Sequence, residues 1–83
     1  MAFFVYIIYS AAIDQYYVGH TESLDDRLFR HNNSGSKATK KANDWILKYT
    51  EEFNIRSDAV SREVAIKKRK SRKYIEWLIS EAG

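Results

Sequence analysis

Seven consecutive apolar or aromatic residues, Phe3 to Tyr9, stand near the start of the chain. Their β-branched and aromatic character predicts a strand. No polar residue alternates within the run, so both faces of the strand are expected to be covered. Ser10 to Gln15 can turn the chain, with Asp14 as the turn former. Tyr16-Tyr17-Val18-Gly19 then reads as the returning strand of a hairpin. If Tyr9 pairs with Tyr16, Ile8 lies opposite Tyr17 and Tyr6 opposite Gly19. Period-two alternation then places Tyr6, Ile8 and Tyr17 on one face, and a slip of one residue would separate them.

The next apolar positions change period. Leu24, Arg27, Leu28 and His31 fall within roughly 100° of arc on a helical wheel, with Asp25, Asp26 and Arg30 outside it. Ser23-Leu24-Asp25-Asp26 resembles a capping box with Asp in place of Glu. Asn32-Asn33-Ser34-Gly35-Ser36 ends that helix with residues tolerant of left-handed backbone. Lys37 to Asn43 is a polar, basic loop. Trp45, Leu47, Tyr49, Glu51 and Phe53 alternate as a third strand. Ser57 is expected to cap a second helix, with Asp58 in its first turn and Ala59, Val60, Val64 and Ile66 on its apolar side. Ser71 caps a last helix, Arg72 to Glu81, that buries Tyr74, Ile75, Leu78 and Ile79. The order β-β-α-β-α-α predicts an α+β fold, a small sheet with helices packed on it. Residues 1–83 are read as one domain, without internal repeats.

Composition narrows the chemistry. With no cysteine, disulfides, Cys-ligated zinc, iron–sulfur clusters and thiol nucleophiles are excluded together. That absence fits a reducing compartment, taken as the cytoplasm. The longest apolar run is too short to cross a bilayer, and no positive stretch precedes it, so neither a membrane span nor a secretory signal is expected. The net charge is +3, but its distribution is lopsided. From Lys67 to Lys73 only Ser71 lacks a positive charge, while the acids gather elsewhere. Such a surface suits a polyanionic partner, nucleic acid first, or is simply a solvated helix face.

Three features stand out. Glu63 falls on the apolar side of the second helix, where a carboxylate is costly unless it is paired or binds a metal. Arg27 and His31 are i,i+4 neighbours bordering an apolar stripe, where an Arg can clamp phosphate and a His can move a proton. Taken on the residues alone, an ion pair or a satisfied core hydrogen bond is the first explanation of each. Gly19, beside Tyr6, marks a place in a strand where a ligand or another backbone comes close. No Gly-rich phosphate loop, Ser/His/Asp elbow or His-rich metal cluster is present. With one candidate carboxylate, a bound ion would keep most of its water, which is Mg²⁺-like rather than zinc-like behaviour.

Taken in order, Val5-Tyr6-Ile7, Tyr17-Val18-Gly19, Arg27, His31-Asn32, Ser34-Gly35-Ser36-Lys37 and the stretch Arg62 to Lys67 resemble the GIY-YIG nuclease superfamily. The resemblance runs from about Phe3 to Ile79 and is strongest to small stand-alone bacterial members, similar to the N-terminal domain of the excinuclease C subunit. It implies a three-stranded antiparallel sheet flanked by helices, and metal-dependent hydrolysis of phosphodiesters in DNA, with RNA left open. By position, Tyr6 and Tyr17 are the tyrosines of the two half-motifs. Tyr17 or His31 would help deprotonate the attacking water, Arg27 would stabilise the pentavalent phosphate, and Glu63 would hold a single Mg²⁺ or Mn²⁺. Lys37, Lys67, Arg69, Lys70, Arg72 and Lys73 are the candidate nucleic-acid contacts. Phe4-Val5-Tyr6 stands where the family has Gly-Ile-Tyr, and no asparagine follows Glu63. The expected function is a structure- or damage-directed DNA endonuclease of repair or recombination. The alternatives are a non-catalytic nucleic-acid-binding module on the same fold and a protein-interaction domain.

Overall fold

The computed structural model describes residues 2–33 and 37–82. Strands β1 (Phe3–Ser10), β2 (Gln15–Thr21) and β3 (Ile46–Phe53) form one antiparallel sheet in the order β2-β1-β3. Helices α1 (Leu24–Asn32), α2 (Arg56–Arg69) and α3 (Arg72–Ala82) complete the α+β fold. The unbroken apolar run therefore takes the central position. Its two faces feed two clusters, Val5 and Ile7 packing with Ala59, Ile66 and Leu78, and Tyr6 and Ile8 with Trp45, Leu24 and Leu28. The hairpin register is the expected one: Tyr9 pairs with Tyr16, Ile8 with Tyr17 and Tyr6 with Gly19. Asp14 makes the turn in the left-handed region at φ 52°.

Strand β3 departs from simple alternation. Ile7 pairs with Tyr49 and Ile8 with Leu47, so Lys48 is the extra residue of a β-bulge. The bulge reverses the facing of the strand. Tyr49 and Phe53 join the α2/α3 side, whereas Trp45 is buried on the α1 side. Ser34-Gly35-Ser36, expected to end α1, lies outside the described residues.

Helix ends and faces also need correction. Ser23 is the N-cap residue of α1, but its side chain makes no capping bond. The turn is closed by Thr21 instead, whose hydroxyl accepts from the Ser23 N–H and donates to its carbonyl. Helix α2 begins two residues early, with Ile55 at its N-cap, so Ser57 is not the cap. Ser71 does cap α3, accepting from the Tyr74 N–H at 3.2 Å. Val60 and Val64 are exposed, not buried. The inward stripe of α2 is Ala59, Arg62, Glu63 and Ile66, spaced i, i+3, i+4 and i+7. Two charged residues therefore face the sheet. Arg62 is held there by a bidentate pair to Glu51 of β3, at 2.9 and 3.0 Å, which locks the rotation of α2 and with it the direction of Glu63.

Candidate active site

Strand β2 is an edge strand, and the candidate residues converge on it from both faces of the sheet. Tyr6, Tyr17 and Gly19 lie on the α1 face. Val18 and His20 lie on the α2 face.

On the α1 face, Tyr6 and His31 are both buried, at 3% and 1% exposure, and share a 2.7 Å hydrogen bond between the phenol and Nε2. His31 Nδ1 is bonded to the hydroxyl of Thr39 at 2.6 Å. A neutral imidazole donates from one nitrogen and accepts at the other, so the three side chains form one continuous proton-sharing chain. Thr39 is fixed in turn, because its carbonyl accepts from the Trp45 indole at 2.9 Å. Asn32 clamps the Trp45 backbone, accepting from its N–H at 2.7 Å and donating to its carbonyl at 3.0 Å. The basic loop is thus tied beneath α1 through Thr39 and Trp45, while Lys37 stays exposed.

Burial, and then the Arg27 guanidinium, push the His31 pKa below its ordinary value. Burial, assisted by Tyr17, drives the Tyr6 phenol far above its own, although Arg27 opposes the rise. Arg27 lies close enough to bias both groups, and its guanidinium has no hydrogen-bond partner among the described residues. Tyr17 is only half-buried, with its ring centroid 5.0 Å from His31 and 6.4 Å from Tyr6.

Gly19 has a different purpose from the one expected. A Cβ there would sit 2.5 Å from the Tyr6 hydroxyl oxygen and 2.7 Å from Cζ. The glycine makes room for the Tyr6 phenol of its own fold, not for a ligand.

Glu63 reaches the same edge from the α2 face. It accepts from His20 Nδ1 at 2.5 Å and from Lys67 Nζ at 2.6 Å. Burial raises its carboxyl pKa, but these two bonds outweigh it and hold the group below the ordinary carboxylate range. Lys67 also lies over the Tyr17 ring, 5.5 Å from its centroid, and so links the two halves of the site around the β2 edge. His20 was not singled out in the sequence. Its only signal was its place one residue after Gly19, on the opposite face from Tyr6. Among the described residues no group of three His, Cys, Asp or Glu side chains is placed to hold a metal. The donor set nevertheless fits one hydrated Mg²⁺ or Mn²⁺. Glu63 supplies a hard carboxylate with lone pairs to spare, and the competing Lys67 ammonium sits on a half-exposed, flexible stem.

The basic run is divided. Arg72 is committed to the Asp14 carboxylate at 2.6 Å and to Glu76 at 3.2 Å. Arg69 lies over the Tyr74 ring at 4.2 Å. Lys70 and Lys73 are exposed and make no ion pair among the described residues. Two clefts flank the β2 edge. One, of about 580 Å³, is lined by His20, Thr21, Arg27 and Phe29 among others. The second, of about 410 Å³, is lined by Tyr16, Tyr17, Lys67 and Lys70 among others.

A family model described as the GIY-YIG catalytic domain matches residues 2–75. The chain belongs to the GIY-YIG family. Among its relatives, a UPF0213 protein of Staphylococcus saprophyticus is 38% identical over 66 residues, covering 78% of this chain and 79% of that protein. A UPF0213 protein of Halobacterium salinarum is 36% identical over 64 residues, covering 76% and 82%. The solution NMR structure of a UPF0213 protein from Bacillus halodurans superposes with a TM-score of 0.62 at 30% identity, covering all of this chain and 87% of that one. No described helix is long and apolar enough to cross a membrane.

Proposed function

We propose that the protein is a metal-dependent DNA endonuclease, acting in the cytoplasm on branched or damaged DNA in repair or recombination. The observation that carries this reading is the convergence of Tyr6, Tyr17, Arg27, His31 and Glu63 on one sheet edge. Glu63 would hold the divalent ion, which when bound supplies charge neutralisation at the phosphate and the leaving oxygen. Arg27, without a hydrogen-bond partner among the described residues and close to Tyr6 and His31, offers a planar donor fork to the equatorial oxygens of the transition state. His31 has both nitrogens engaged and almost no exposed surface, so it reaches water only through a hydroxyl. Tyr17, half-exposed at the rim, is the group of the cluster that can meet the attacking water directly. In this reading the Tyr17 hydroxyl takes the water's proton as its own passes to solvent at the rim, and Tyr6 and His31 pack beside its ring, with Thr39 holding His31 in turn.

The decisive assay is nicking of supercoiled, branched and single-stranded DNA with Mg²⁺, with Mn²⁺ and with chelator. Cleavage that requires the ion and is lost in Glu63→Gln supports the reading. A second reading has its own observation. The Glu63–Lys67 and Glu63–His20 bonds satisfy the carboxylate without any ion, as in a non-catalytic nucleic-acid-binding module. Salt-dependent DNA binding with no cleavage under any of these conditions would favour it.

A further inference from the structure

Trp77 is 54% exposed, although the indole is among the largest apolar side chains. It plays no part in the core or in the site, and it lies beyond the residues matched by the family model, which end at 75. Its ring is stacked on Tyr74, with centroids 6.0 Å apart and planes 23° from parallel, and more than half of the residue's surface stays open to solvent. The Tyr74 ring also carries the Arg69 guanidinium, 4.2 Å from its centroid. Lys73 lies one turn before Trp77 on the same flank of α3. Of the acids of this helix, Glu76 is held by Arg72, and Glu81 lies one turn after the indole as Lys73 lies one turn before it, so the positive charge here comes from the side of Lys67 to Lys73.

An exposed aromatic ring bordered by cations that make no ion pair among the described residues is the combination that binds single-stranded nucleic acid, bases stacking while the cations follow the backbone. The cations also connect it to the candidate active site. Lys67 lies over Tyr17 and Lys70 lines the adjoining cleft. Arg69 and Lys73 then lead to Tyr74 and Trp77. We propose that this track receives a single-stranded arm of the substrate and that Trp77 stacks one of its bases. The inference rests on the nucleic-acid reading above and refines it, since the preferred substrate would be a duplex that carries a single-stranded arm.

The test uses binding in the presence of chelator, so that cleavage does not enter. An oligothymidylate of about twelve nucleotides and a blunt duplex are titrated against the protein at low salt. Trp45 is 3% exposed, so quenching by the oligonucleotide reports Trp77. Stacking of one base is worth roughly 5- to 150-fold in affinity. Trp77→Ala should lose that factor for the oligothymidylate, Trp77→Leu should lose it as well, and Trp77→Phe should keep most of it. Duplex affinity should be the same in all four proteins. Unchanged single-strand affinity in Trp77→Ala would overturn the inference while leaving the nuclease reading intact. So would a self-associating wild type that becomes monomeric in Trp77→Ala with DNA binding unaltered. A wild type that binds neither nucleic acid would overturn both.

Discussion

The Tyr6 phenol and the His31 imidazole meet in a 2.7 Å hydrogen bond where neither ring reaches solvent. The two residues are 25 positions apart, one on the central strand and one at the end of α1. Their bond turns the expected proton carrier into a buried group whose second nitrogen is also engaged.

That burial has a consequence for pH. Desolvation, and then Arg27, lower the His31 pKa in the folded state. In the unfolded chain it returns to about 6.5. Below that value the unfolded state takes up a proton first, so this residue's contribution to stability is present above about pH 6.5 and is lost as pH falls through the folded pKa. NMR titration should show the His31 ring taking up its proton below the ordinary imidazole value. Denaturant midpoints should fall on acidification more steeply in the wild type than in His31→Gln. A His31 ring that titrates at or above its ordinary value would contradict the buried geometry.

Gly19 provides the steric counterpart. An alanine there would push its methyl group into the Tyr6 ring. Overpacking of this kind costs about 1–3 kcal/mol. Gly19→Ala should therefore lower stability by that amount and reduce nuclease activity by displacing the Tyr6 hydroxyl from His31. Combining it with Tyr6→Leu, which removes the ring, should recover stability but not activity, a non-additivity read from a double-mutant cycle. Additive losses would mean that the methyl finds space elsewhere.

The hairpin was legible because its signals are local. A period of two, a turn former at Asp14 and an aromatic pair at Tyr9 and Tyr16 settle register within a few residues. What could not be read depends on partners far along the chain. Helix α2 turns Arg62 and Glu63 inward because Glu51 and His20 wait on the sheet, and Val60 and Val64 are left outside as a result. A wheel built on hydrophobicity alone weighs those residues the other way, although it places Glu63 inward correctly. The bulge at Lys48 similarly puts Trp45 and Tyr49 on opposite faces despite their equal parity. At the site, the residue types able to carry chemistry stand out in the sequence, and the fold brings Tyr6, Tyr17 and His31 together. The purpose of Gly19 and the His20 bond to Glu63 were not legible there, since each is defined by a contact across the fold.

Glu63 and Lys67 offer a test of the metal assignment in both directions. Glu63→Gln should abolish divalent-ion-dependent cleavage and leave the fold in place, because the amide can still accept from His20. Lys67→Met removes the ammonium that an ion would have to displace. Half-maximal cleavage should then occur at a lower Mg²⁺ concentration than in the wild type, even if DNA binding weakens. Should Glu63→Gln retain turnover while losing stability, the carboxylate serves an ion pair and not a metal.

Arg27→Lys separates charge from geometry. Lysine keeps the positive charge but lacks the two-pronged donor. If Arg27 meets the phosphate only as charge develops, kcat should fall by roughly 10²–10³, as for loss of one oxyanion donor. KM should change little. Because the guanidinium makes no hydrogen bond among the described residues, the melting temperature should be nearly unchanged. A raised KM with kcat intact would make it a binding residue only.

The basic run can be divided by the same logic of commitment. Arg72 is spent on Asp14 and Glu76 and on the face of Tyr16, so Arg72→Gln should affect the α3 anchorage and leave the salt dependence of DNA binding alone. Arg69, Lys70 and Lys73 have no such ion pairs among the described residues. If all three meet backbone phosphates of duplex DNA, each releases counterions and contributes about 0.9 to the slope of log affinity against log salt. Changing the three to Gln should then lower that slope by up to about 2.7 and weaken binding alike for every sequence. Turnover at saturating DNA should change little, since none of the three is assigned to the developing charge, although Lys70 lines the cleft that Tyr17 also lines. Equal slopes for the wild type and the triple variant would place the DNA on another face, and the two clefts along β2 would then be the surfaces to probe.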